Sequence, residues 1–79
     1  MSDVIYKSNT CAGCVVVENA LRANPIAGLR LLNIDEDPMA RQYFQLTGAR
    51  GVPTAVIDGQ AVTGASAIIN ALRRKYGKP

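Results

Sequence analysis

The sequence contains no histidine, which excludes serine–histidine and cysteine–histidine nucleophile pairs and every His-ligated metal centre. Cysteine is nearly as scarce, with Cys11 and Cys14 standing three positions apart. A bridge between neighbours this close shuts a very small loop, removes little chain entropy and cannot hold a fold together. No apolar run approaches the roughly 18 residues that a membrane span requires. The opening Val4-Ile5-Tyr6 run has no basic stretch before it and is too short for a secretory leader, so a cytoplasmic protein away from the membrane is expected. Charge is sparse as well. Nine Lys and Arg against six Asp and Glu give +3, short of the basic footprint of a nucleic-acid binder.

What remains is ordinary globular material. The 79 residues are 48% hydrophobic and 19% charged, with no repeat, linker or charge block, so a single domain over residues 1–79, acting as a monomer, is expected. Val4-Ile5-Tyr6 reads as a strand, followed by a polar loop through Lys7, Ser8, Asn9 and Thr10, with Thr10 placed to cap a helix. That helix should run from about Cys11 to Ala23, with Val17, Ala20 and Leu21 on one face, until Asn24-Pro25 stops it. Leu29 to Ile34 is almost continuously apolar, the pattern of a strand covered on both faces. Asp37 and Pro38 begin a second helix, which should end near Thr47 with Gly48 in the left-handed conformation. Asp58-Gly59 joins two short strands, Thr54–Ile57 and Gln60–Thr63, as a hairpin. Ser66 is placed to cap a last helix, with Ile68, Ile69, Leu72 and Tyr76 on one face and Gly77 near its end. The order is β-α-β-α-β-β-α: an α/β fold with a four-stranded mixed sheet flanked by helices.

Cys11-Ala12-Gly13-Cys14 falls where the first loop becomes a helix. At i and i+3 on a first turn, two sulfurs can meet and bond reversibly. The free N–H groups and partial positive charge of a helix N-terminus favour a thiolate there. Cys11, nearer the exposed loop, is the expected nucleophile, and Cys14 the thiol that resolves a mixed disulfide. Lys7 could add positive charge. The alternative is a metal or iron–sulfur cluster. One chain supplies too few ligands for it, so Cys11 from two chains would have to share it. Arg73-Arg74-Lys75 and Lys78 form a basic cluster, read as charge favourable to the last helix's negative end, with a docking patch for an acidic protein as the other reading.

Taken together, the residues around Cys11-Ala12-Gly13-Cys14, Leu46-Thr47-Gly48-Ala49-Arg50-Gly51-Val52-Pro53, Ile57-Asp58-Gly59 and Thr63-Gly64 resemble a glutaredoxin, or a closely related small redoxin of the thioredoxin fold. The resemblance implies a dithiol-disulfide oxidoreductase that reduces protein or glutathione mixed disulfides without a bound cofactor. It also implies a cis bond before Pro53 and pairing of the Val52 backbone with an extended substrate. Arg50, Lys7 and Arg41 would give a basic rim for glutathione on one side of Cys11, with Gly64, Ala65 and Ser66 on the other, and Thr10 is a further candidate substrate contact. Departures are visible. Ala12-Gly13 replaces the usual Pro-Tyr, Ser8 stands where the family has Lys, and Ala67 stands where it has an acid. Glutathione should therefore be recognised more weakly than is usual for the family. Thioredoxin reductase, which serves the ribonucleotide-reductase redoxins, is the alternative electron donor, although the chain lacks their typical dipeptide and final-helix residues.

Overall fold

A computed structural model describes residues 3–78; Met1, Ser2 and Pro79 lie outside it. Seven elements follow in order: β1 (Val4–Lys7), α1 (Ala12–Ala23), β2 (Arg30–Asn33), α2 (Pro38–Leu46), β3 (Thr54–Ile57), β4 (Gln60–Thr63) and α3 (Ala65–Tyr76). The sheet order is β2-β1-β3-β4. β1 runs parallel to β2, with Ile5 opposite Leu31, and antiparallel to β3, with Ile5 opposite Ala55. The β3–β4 hairpin turns through Asp58 and Gly59, both at positive φ (52° and 81°), as the tight turn favoured by strand twist requires.

Alternation along β1 sorts the layers. Ile5 points into the core with Val17 of α1, Ala55 and Ile57 of β3, and Ile68, Ala71 and Leu72 of α3. Tyr6 points the other way and meets Phe44 of α2, ring centres 5.7 Å apart. Helices α1 and α3 therefore share one face of the sheet and α2 takes the other. The cover is uneven. β2 is an edge strand with Leu31 42% exposed, which corrects the expectation of a strand covered on both faces. An apolar run says that a segment packs somewhere, and on this edge strand Leu31 shares a shallow groove with Leu21 of α1, Pro25 and Ile26 that stays open to solvent. A groove of about 410 Å³ lined by Tyr6, Tyr43, Leu46, Val56 and Ala61 opens on the α2 face and includes neither cysteine.

Two caps also differ from expectation. Helix α1 begins at Ala12, and its N-cap is Cys11, whose sulfur accepts from the Cys14 N–H; Thr10 lies outside the helix. A cysteine sulfur takes the acceptor role that a hydroxyl or carboxylate oxygen usually fills. Helix α3 is entered through Gly64 at φ 100° and ψ 144°, with no side-chain cap, so Ser66 lies inside the first turn. That φ is open to glycine and strained for other residues. By contrast, Asp37 caps α2 through the N–H groups of Met39 and Ala40, Pro38 follows at the start, and Gly48 and Gly77 adopt positive φ past their helices.

Candidate active site

Cys11 and Cys14 are joined as a disulfide, with Cα atoms 5.2 Å apart, well within the reach of such a bond. Their surroundings differ. Cys14 lies on the face of α1 that also buries Val17 and is 3% exposed, whereas Cys11 is half-buried at the helix entrance. The Cys14 N–H donates to Cys11 Sγ at 3.1 Å, one of the orphan donors that a helix start directs at whatever stands before it.

Two other segments converge on this pair, the Val52–Pro53 loop and the start of α3. The Val52–Pro53 bond is cis and the Pro53 ring is buried. A Cβ built on Gly13 would lie 3.0 Å from Pro53 Cδ and 3.9 Å from the Ala65 Cβ. Gly13 thus brings the backbone between the cysteines directly against Pro53 and the start of α3. The Gly64 N–H donates to the Pro53 carbonyl at 3.0 Å, linking that loop to α3. Val52 is half-buried, and its N–H and C=O have no partner among the described residues. The Ala65, Ser66 and Ala67 N–H groups are likewise free at the α3 start, since the first helical bond runs from Ile68 to Gly64.

The charged candidates divide. Arg50 is exposed and forms no ion pair among the described residues. The Lys7 ammonium is paired with Glu18 of α1 at 2.5 Å. Thr10 is exposed, with no side-chain hydrogen bond among the described residues. Sequence reasoning did not find Asn9, Asn33 and Asp35. The Asn33 side-chain amide donates to Asn9, the Asn9 N–H to Asp35, and the Asp35 N–H to Asn33, all at 2.8 Å. This ring holds the loop that leads into Cys11. Only the polar composition of that loop hinted at it.

The glutaredoxin family profile matches residues 4–62, most of the chain. The chain belongs to the glutaredoxin family. A search of curated proteins returns no match. Among solved structures it is similar to the thioredoxin-like protein BC3987, at 28% identity and a TM-score of 0.76 over 92% of this chain and 97% of that one. It is similar to the NrdH-redoxin from Escherichia coli, a glutaredoxin-like protein with a thioredoxin-like activity profile, at 25% identity and 0.72 over 91% and 95%. A buckwheat glutaredoxin–glutathione complex shares the fold at 19% identity and 0.65, over 92% and 68%. As a glutaredoxin with the Cys11–Cys14 pair at disulfide distance, the protein is a dithiol-disulfide oxidoreductase of the thioredoxin fold. No helix among the described residues is long and apolar enough to cross a membrane.

Proposed function

We propose that Cys11 attacks and Cys14 resolves. The supporting observation is the contrast between a half-buried sulfur at the helix entrance and one that is 3% exposed. The Cys11 thiolate attacks one sulfur of a substrate disulfide, so a mixed disulfide forms and one substrate thiolate leaves. The Cys14 thiol then gives its proton to the departed substrate thiolate or to water, and its sulfur attacks Cys11 Sγ. The second substrate thiolate departs, and the protein is left with the Cys11–Cys14 bond. The Cys14 N–H and the α1 dipole favour negative charge on Cys11 in the reduced protein, before it attacks. The Val52 N–H and C=O pair with the substrate's extended backbone beside Pro53, an attachment that tolerates varied side chains. Cys11→Ser abolishes disulfide reduction, whereas Cys14→Ser keeps activity towards glutathione mixed disulfides, which need no second cysteine. Faster alkylation of Cys14 than of Cys11 in the reduced protein at neutral pH would reverse the assignment. A visible-region absorbance after anaerobic purification would revive the shared-cluster alternative.

The reductant that regenerates the dithiol is glutathione on this reading. Arg50, exposed and without an ion pair among the described residues, offers a cation for one carboxylate, and the Ala65 and Ser66 N–H groups with the Ser66 hydroxyl offer donors for the other. Ala67 gives no partner to the glutathione ammonium, which lowers affinity by less than about tenfold. Thioredoxin reductase is the second reading, favoured by similarity to NrdH-redoxin over 95% of that chain. Titration of the oxidised protein with glutathione should shift the amides of Arg50, Val52, Ala65 and Ser66. No shift at millimolar glutathione, together with turnover by thioredoxin reductase, would select the second reading.

A further inference from the structure

Thr54 is fully buried, immediately after Pro53. Its hydroxyl oxygen lies 2.6 Å from the Gly51 carbonyl and 3.0 Å from the Thr63 hydroxyl. A hydroxyl has one proton to give, and a carbonyl can only accept. Thr54 must therefore donate to Gly51, and Thr63 to Thr54. A directed chain runs from Thr63 through Thr54 to the Gly51 carbonyl, between strands that place Thr54 opposite Thr63.

The chain ends on one side of a peptide plane whose other side matters. Among the described residues Val52–Pro53 is the cis bond, so Gly51–Val52 is trans. In a planar trans peptide, C=O and N–H point in opposite directions. Holding the Gly51 carbonyl toward buried Thr54 turns the Val52 N–H the other way, where it meets no acceptor among the described residues. A second tie, Gly64 N–H to the Pro53 carbonyl, fixes the Pro53–Thr54 peptide on the far side of the cis bond.

We propose that Thr54, backed by Thr63, is a positioning residue that sets the direction in which the Val52 N–H is offered to the backbone of a peptide disulfide. The chain thereby selects peptide disulfides over small aliphatic ones. This rests on the reading that Val52 pairs with substrate. Thr54 touches no reacting atom and acts only through the Gly51–Val52 peptide.

The test compares an extended peptide disulfide with 2-hydroxyethyl disulfide, using dithiothreitol as reductant so that neither physiological donor enters. With Thr54→Val, KM for the peptide rises by about tenfold, as expected for the loss of one oriented hydrogen bond. Its kcat holds, and both constants for the small disulfide hold. Thr54→Ser restores the peptide KM. Thr63→Val, at an exposed side chain, raises the peptide KM about two- to threefold, and it carries the comparison if Thr54→Val does not fold. Equal changes for both substrates, or none for either, overturn the positioning role while a wild-type preference for the peptide leaves the Val52 pairing standing. Absence of that preference in the wild type overturns the pairing and this proposal with it.

Discussion

Gly13 carries a constraint that its neighbour Ala12 escapes. A Cβ there would stand 3.0 Å from Pro53 Cδ, closer than carbon atoms pack comfortably, while Ala12 is exposed. The proline ring is buried and rigid, so a side chain at Gly13 must push either Pro53 or the first turn of α1. Gly13→Val should therefore destabilise the fold by about 1–3 kcal/mol, the usual cost of overpacking a filled site. Ala12→Val should cost about half a kilocalorie or less, a propensity effect alone. Urea unfolding of the oxidised proteins measures both, and equal midpoints for the two variants would show that Pro53 yields freely.

At the scale of elements, most boundaries were legible because single residues mark them. Asp58-Gly59, Pro38, Gly48 and Gly77 punctuate the chain through fixed backbone preferences, and each acts where expected. The two helices at the site were misread at their caps for one reason. Cys11 caps α1 with a sulfur, and Gly64 enters α3 through a backbone shape, so neither start displays the hydroxyl or carboxylate that announces a cap. The cysteine pair and Pro53 were legible, while the grip on their loops was not. The Asn9–Asn33–Asp35 ring joins the β1–α1 loop to the β2–α2 loop across 24 to 26 positions, and no local pattern reports such a tie. Asp35→Ala removes the acceptor of the Asn9 N–H and leaves the Asp37 cap of α2 in place. The Asn9 amide should then exchange about tenfold faster, while global stability falls by about 1 kcal/mol or less, as suits an exposed hydrogen bond. Unchanged exchange at Asn9 would show that the ring does not hold the loop.

Over the whole molecule, the end of the sheet opposite the cysteines is closed by a polar cluster that joins the start of β1, the hairpin and the end of α3. Asp3 is 5% exposed and accepts from the Lys75 ammonium at 2.6 Å, from the Tyr76 hydroxyl and from the Asp58 N–H at 3.1 Å, and Lys75 also reaches the Asp58 carboxylate at 2.6 Å. Lys75 is thus committed to a tertiary clamp, so the basic cluster at the helix end is smaller than the sequence implies. Its acidic partner Asp3 lies 72 positions away and escapes any reading by local pattern. Burial alone would push the Asp3 carboxyl up. The hydrogen bonds from Lys75, Tyr76 and the Asp58 backbone, with the Lys75 charge, outweigh it and bring the carboxyl from 3.8 to about 2. Hydrogen bonds to Asp3 and Asp58 raise Lys75 above its ordinary value, so its contribution is complete below that value and lost only as pH rises past it. The acid flank is different. A carboxyl held lower in the folded state than in the unfolded chain stabilises fully above the unfolded value and loses that contribution as pH falls through the folded one. Stability should therefore fall by about 2 kcal/mol on this account between pH 4 and pH 2. Asp3→Asn should already be destabilised at pH 7 and show a flatter decline across that window. Urea unfolding at closely spaced pH values reads both curves, and parallel declines for the wild type and Asp3→Asn would remove Asp3 as the source of the acid sensitivity.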